Sequence, residues 1–170
     1  HTVPEQSTGV DIVRSQMLIA AGAALADLGL QQGQITRTGA AIQTRVTTED
    51  PAANFMPDTG TITAFQQPGG DGVRIDGATA AVGAEISPYF DSLLAKLVCS
   101  AEDFPSAVRR TRRALGEFRI GGVKTNIPFL INVLDDPDFS SGDLSTKFID
   151  ETPELLDVQP TPDDEGKVLK

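Results

Sequence analysis

Residues 93–118 read LLAKLVCSAEDFPSAVRRTRRALGEF, an apolar run followed by an amphipathic one. Leu93–Cys99 is apolar enough to be a buried strand, with a helix as the alternative. Beyond it, Phe104, Val108, Thr111, Leu115 and Phe118 recur at i, i+4, i+7, i+11 and i+14, the single narrow face of a helix over 104–117. Asp103 is placed to cap that helix, and Pro105 suits its first turn, where a missing N–H costs nothing.

Upstream, Ala40–Val46 alternates and is β-branched, which predicts a strand. A turn-rich stretch over 47–60 precedes a second strand at Thr61–Phe65. The turn cluster Pro68-Gly-Gly-Asp-Gly72 leads into a third strand beginning at Val73–Ile75. Nearer the start, Thr8-Gly-Val-Asp11 has the form of a capping box, and Val10, Val13, Met17, Ala20, Ala21 and Ala24 come after it at helical spacing. This predicts one helix over about 10–24, weakened at Gly22 and stopped at Gly29. Its apolar stripe needs a packing partner, expected to lie before His1. Downstream, a short helix is expected from about Asn126 to Leu134, ending at Asp135-Asp-Pro137. From Glu151 to Lys170, Pro153, Pro160, Pro162 and the acidic residues predict an extended linker. The implied fold class is α+β, a largely antiparallel sheet with helices to one side.

The chain has 170 residues, enough to bury a core without disulfides or metals. Fourteen Lys and Arg against 24 Asp and Glu give a net charge of −10, which argues against nucleic-acid and anionic-membrane partners. No apolar run approaches the roughly 18 residues that span a bilayer. Cys99 is the single cysteine, so no intrachain disulfide or cysteine zinc cluster can form. Its apolar flanks predict a buried packing role, which fits a reducing compartment. With no signal peptide or lipidation motif visible, the expected location is cytoplasmic. The chain opens at His1 rather than methionine, which raises the expectation that a segment upstream has been removed.

Four arginines, Arg109, Arg110, Arg112 and Arg113, lie on the predicted helix. No aromatic residues are interleaved for base stacking, so surface ion pairs or a partner subunit are the expected use. The glycine cluster before Arg74 is not followed by Gly-Lys-[Ser/Thr], and a strand rather than a helix comes next, so it reads as a hairpin loop rather than a phosphate loop. Arg74, just past those small residues, can face a cleft, and its planar fork suits a carboxylate or bicarbonate. His1 has no second His or Cys to share a metal with.

A series of ordered blocks resembles the biotin carboxylases. They are His1-Thr-Val-Pro-Glu5, Thr8-Gly-Val-Asp-Ile-Val13, Arg45-Val-Thr-Thr-Glu-Asp-Pro51, Pro68-Gly-Gly-x-Gly-Val-Arg74, Tyr89-Phe-Asp-Ser92, Lys96-Leu, Arg113-Ala-Leu and Gly122-Val-Lys-Thr-Asn-Ile127. Thr47-Thr-Glu-Asp-Pro-Ala52, Gly83-Ala-Glu-Ile-Ser87 and Phe148-Ile-Asp-Glu-x-Pro-Glu-Leu155 are most similar to the pyruvate carboxylase branch. The resemblance implies that residues 1–37 end an ATP-grasp region, 38–150 form the biotin carboxylase C-terminal domain, and 151–170 lead toward the next domain. An acyl-CoA carboxylase subunit and a non-catalytic dimerisation module are the alternatives.

The chemistry the resemblance implies is ATP-dependent carboxylation of biotin by bicarbonate. Arg74 matches the family arginine that holds bicarbonate and the biotin ureido oxygen. Thr146 falls in a segment that approaches the adenine pocket. The implied cofactors are biotin, on a carrier domain, and ATP with Mg, whose main ligands and general base lie upstream of His1. No metal ligand is expected in this chain, and alone it is expected to be catalytically silent. The implied partners are the rest of the biotin carboxylase domain, the biotin carrier domain and the carboxyltransferase domain. A homodimer contact is expected around Lys96–Asp103 and near Arg119–Gly121.

Overall fold

The structure, a computed structural model, describes residues 2–77 and 80–158. Two short helices open the chain, α1 (Thr2–Thr8) and α2 (Ile12–Ala20). Strand β1 (Ala40–Thr47) is followed by β2 (Glu49–Asp50), β3 (Met56–Pro57), β4 (Gly60–Thr61), β5 (Ala64–Gln66), β6 (Val73–Asp76), β7 (Glu85–Ile86) and β8 (Leu93–Ala101). Then come α3 (Phe104–Glu117), β9 (Arg119–Gly121), α4 (Ile127–Asp135), α5 (Pro137–Ser141) and α6 (Phe148–Glu151).

The main sheet has the order β1-β8-β6 and is antiparallel throughout, with β8 in the middle. The run 93–99 is therefore a strand, and its near-continuous apolar character reflects burial on both faces. On one face Leu97 and Cys99 meet Ile42 and Val46 of β1 and Ala107, Val108, Ala114, Leu115 and Phe118 of or next to α3. Helix α3 has the predicted bounds: Asp103 accepts a hydrogen bond from the Ser106 amide at 2.7 Å, and Pro105 sits in the first turn. Not all helices lie to one side. The α1 residue Thr2 is fully buried and bonds Asp76, which lies on the face of β6 opposite Val73 and Ile75. Helix α1 thus covers the far side of the sheet.

The first helix differs from the prediction. The chain breaks at Gly9, which takes a left-handed φ of +72° and ends α1 by donating to the Glu5 carbonyl. Thr8 does not cap the second helix; its hydroxyl turns back to the Pro4 carbonyl at 2.6 Å. Asp11 is the N-cap of α2, accepting from the Arg14 amide, while the Glu5 carboxylate accepts from the Ile12 amide at 2.9 Å. The helix stops before Gly22 (φ +100°), well short of Gly29. Its apolar stripe is uncovered, with Val13 47% and Met17 68% exposed.

The strand expected at Thr61–Phe65 is two strands. The chain changes partner at Ile62, whose amide bonds Ala84 while that of Thr63 bonds Gly121. Ile62 is buried with Leu94 and Val123 in a small second core. Gly122, at φ +91°, makes this crossing possible, since a Cβ there would overlap the Thr61 carbonyl.

The segment after Asn126 forms α4, but the Asn126 side chain does not cap it. It accepts from the Thr47 amide at 3.0 Å and donates to the Arg45 carbonyl at 2.9 Å, tying the helix to β1. Pro137 starts α5 rather than a loop, with Asp136 as its cap. The extended chain predicted from Glu151 is also corrected. Pro153–Leu156 is a 3-10 turn, Leu155 is buried, and Asn132 donates to the Leu155 carbonyl at 3.0 Å. The rest of the expected linker, 159–170, lies outside the described residues. Within the expected dimer contact, Leu97, Val98 and Cys99 are enclosed, since β8 is paired on both edges and these three are buried, while Lys96 is half-buried.

Lys124 fastens the turn-rich stretch to the start of α4. Its ammonium meets the Asp50 carboxylate at 2.6 Å, and its amide donates to Asp58. The Lys124 hydrogen bond, first among the causes, holds Asp50 below the ordinary 3.8. A carboxyl lowered on folding stabilises the fold above its unfolded value and loses that contribution as pH falls through the folded one. Because the lysine is more than half exposed, the pair contributes at most about 1 kcal/mol. Asp50→Asn is therefore expected to lower the urea midpoint at pH 5–7, with the difference from wild type shrinking below pH 3.8. Equilibrium unfolding across pH measures this.

Candidate functional site

The glycine-rich turn at 69–72 delivers the chain into β6. Gly70 takes φ +110° and Gly72 φ +69°, and the Val73 amide closes the turn on the Gly70 carbonyl. A Cβ on Gly72 would overlap Arg110 and the Ser100 carbonyl, which hydrogen-bond to each other across the site. A strand comes after the turn, so it lacks the helix N-terminus of a phosphate loop, but it is not the hairpin loop predicted: β5 pairs with β9 and β6 with β8, so the turn crosses between two sheets. The adjacent polar cavity, about 310 Å³, sets the Asp71 and Glu102 carboxylates beside Arg110. With two acids to one guanidinium already committed to a carbonyl, it is a poor anion site.

Arg74 lies on the sheet face away from the α3 core, and its side chain is 47% exposed. Its Nε donates to Asp76 Oδ1 at 2.7 Å. Thr2 of α1 donates to the other oxygen of Asp76 at 3.4 Å. The Asp76 hydrogen bond, foremost, raises the pKa of Arg74 against the opposing effect of burial, with Glu5 and Asp11 adding from α1 and the cap of α2. The guanidinium is therefore permanently charged. Among the described residues no hydrogen bond engages its Nη1 or Nη2. That leaves the outer edge of the fork, two parallel N–H groups, for a planar anion such as a carboxylate or bicarbonate.

Thr146 is exposed in the turn before α6, on a separate element, with no hydrogen bond or ion pair linking it to Arg74 among the described residues. His1 lies outside the described residues. Three of the four α3 arginines behave as surface groups: Arg112 pairs with Asp135, Arg113 with Glu117 at 2.6 Å, and Arg109 bonds Ser106, whereas Arg110 is half-buried on the Ser100 carbonyl. The described residues contain no group of three or more His, Cys, Asp or Glu disposed to hold a metal ion. Sequence reasoning missed Asp76, Thr2 and Glu5. The available signal was the i, i+2 spacing of Arg74 and Asp76, which puts both on one face of a strand.

Residues 43–151 match the model of the biotin carboxylase C-terminal domain. The chain belongs to this family. It is 56% identical over its whole length to a pyruvate carboxylase of Staphylococcus aureus, of which it covers 15%. It is 51% identical over 99% of its length to a mitochondrial pyruvate carboxylase of Mus musculus, covering 14% of that protein. The chain thus spans about a seventh of the length of these relatives. Among solved structures, a complete multifunctional pyruvate carboxylase from Rhizobium etli superposes with a TM-score of 0.91 at 45% identity, over 99% of this chain and 16% of that one. The biotin carboxylase domain of a thermophilic 2-oxoglutarate carboxylase, bound to bicarbonate, gives 0.86 at 43% identity, over 94% and 35%. The α+β class and the pyruvate carboxylase resemblance agree with these matches.

Cys99 is fully buried, and burial, first among the causes, pushes its thiol pKa up despite a hydrogen bond with Thr111 and the nearby Arg110 and Arg113. A protonated, enclosed thiol is a poor nucleophile. The expected outcome with a thiol reagent at pH 8 is no reaction of Cys99 in the folded chain and full reaction in urea, followed by absorbance. Rapid labelling of the native chain would contradict the packing role.

Proposed function

We propose that this chain is the C-terminal part of the biotin carboxylase region of a pyruvate carboxylase-like enzyme, and that Arg74 binds bicarbonate and the biotin ureido oxygen during ATP-dependent carboxylation of biotin. The observation that carries this reading is the Arg74 guanidinium, anchored through Nε and open along its Nη edge, in a chain of this family. As the biotin nitrogen loses its proton, negative charge builds on the ureido oxygen, and a fixed guanidinium stabilises that charge.

In this reading residues 1–37 close an ATP-grasp region, 38–150 are the C-terminal domain, and the chain from 151 leads toward a further domain. The exposed stripe of α2 supports this division, because a short helix depends on tertiary burial and no residue of α2 is fully buried within the described residues. Biotin on a carrier domain and ATP with Mg are the cofactors, their main ligands supplied by the rest of the biotin carboxylase region. Thr146 stands toward the adenine. The carrier and carboxyltransferase domains are the further partners. A buried lone cysteine supports a reducing compartment, for which the cytoplasm is the reading, although mouse and rat relatives carry the name mitochondrial.

Two measurements test the proposal. In the full-length enzyme, Arg74→Ala is expected to slow biotin carboxylation by roughly 10²–10³-fold, the scale of one lost charge-stabilising donor. ATP affinity should be unchanged, and full activity would refute the assignment. The 170-residue chain alone, given ATP, magnesium, bicarbonate and biotin, is expected to release no phosphate above a protein-free blank.

Self-association is the second part of the proposal. A structure of the biotin carboxylase domain of Hydrogenobacter thermophilus 2-oxoglutarate carboxylase is described as a dimer. With only Leu97–Cys99 enclosed, the proposed contact keeps Lys96, Ser100–Asp103 and the β9 surface at Arg119–Gly121. Arg119→Glu is expected to weaken dimerisation of the intact enzyme in sedimentation runs.

A further inference from the structure

We propose that Asp76 is the positioning residue for Arg74: it grips the guanidinium at Nε, is itself held by Thr2, and so aims the Nη edge at the reacting anion. The inference rests on the reading of Arg74 as the bicarbonate- and biotin-binding arginine.

The geometry starts from the strand. Arg74 and Asp76 are two residues apart on β6 and share its outer face, opposite Val73 and Ile75, which pack on the core. Their backbones are registered against Val98 and Lys96 of the central strand, and Val98 is buried. Neither Cα can move without breaking that ladder, so the 2.7 Å bond joins two points on a rigid base. A half-exposed arginine otherwise swings about several freely rotating bonds, and its charge is spread over many positions. One charge-assisted bond at Nε removes most of that freedom without consuming the terminal N–H groups.

The second oxygen of Asp76 is not left to solvent alone. Thr2, fully buried at the start of α1, donates to it at 3.4 Å. The contact joins the N-terminal helix to the arginine through one carboxylate. It also gives α1 a contact with the carboxylate that holds the arginine, beyond covering the sheet.

This arrangement predicts a sign that simple damage to the fold does not. Asp76 carries a negative charge beside an arginine that has to attract an anion, and Glu5 and Asp11 also act on Arg74. Removing Asp76 makes the surroundings less negative, so capture of bicarbonate should not weaken. What is lost is the aim of the guanidinium at the oxygen where charge develops. The turnover number should fall while the KM for bicarbonate stays level or drops.

The experiment compares wild type, Asp76→Ala, Asp76→Asn, Arg74→Ala and the double variant Asp76→Ala/Arg74→Ala in the full-length enzyme. Asp76→Ala is expected to lower kcat by roughly 10–100-fold, the scale of a catalytic group misplaced by about an ångström. Its KM for bicarbonate should be no higher than that of wild type. Asp76→Asn keeps a neutral acceptor of the same shape and should recover part of the loss. The double variant should be no slower than Arg74→Ala, because two residues acting as one unit do not add. Wild-type kcat in Asp76→Ala beside a crippled Arg74→Ala would overturn the positioning role and leave the reading of Arg74 standing. Losses that multiply in the double variant would also overturn it. Full activity in Arg74→Ala would overturn both. Should Asp76→Ala fail to fold, Asp76→Asn carries the same comparison, alone and combined with Arg74→Ala.

Discussion

The structure depends on the burial of one strand. Strand β8 is hydrogen-bonded along both edges, to β1 and β6, and covered by α3 on one face. Leu97 and Cys99 point into that core, while Val98, on the other face, is also buried. A strand so enclosed cannot slip in register, because a shift of one residue would send every core side chain to the wrong face. Arg74 inherits this rigidity directly, since it sits on the neighbouring strand opposite Val98. The charged group thus belongs to a half-solvated face whose backbone is fixed by the dry face behind it.

Much of this is legible where burial imposes a clear period. Phe104 to Phe118 give α3 its bounds, because five apolar or small residues at helical spacing admit no other regular structure. The β8 run reads as a strand despite the helical alternative, and the missing lysine and missing helix exclude a phosphate loop at 69–72, although the two strands it joins turn out to lie in different sheets rather than in one hairpin. Arg74 stands out by its place after small residues and by family resemblance together.

The misreadings share a cause: a local pattern is satisfied by a partner far away in sequence. Thr8 and Asp11 spell a capping box, but Gly9 turns the chain, Asp11 becomes the N-cap itself, and Glu5 from the preceding helix accepts from the Ile12 amide. Thr61–Phe65 looks like one strand, yet its two ends pair with β7 and β9, more than 20 and more than 50 residues away. Prolines and acids in the tail hide Leu155, which is anchored on α4 through Asn132. Pro137 looks like a stop and is a start, because Asp136 caps the helix it opens. Composition reports average polarity and is silent about a single anchoring contact.

The charge around Arg74 shows why a site of this kind is unfinished within one chain segment. The guanidinium faces Asp76 directly, and Glu5 and Asp11 also act on it. Three carboxylates to one arginine would repel an anion, so the group gains orientation and loses attraction. Lys96 stands across from Asp76 in register, and Arg45 across from Lys96, which restores some positive charge on the same sheet face. The balance still leaves little net pull on bicarbonate from these residues alone. In the proposed reading of Arg74, attraction would come from cations and dipoles elsewhere in the enzyme, while this sheet supplies a fixed direction. On that reading, the outer face of β6, where the α1 contact meets the arginine, is the side of this sheet on which the rest of the site would have to assemble.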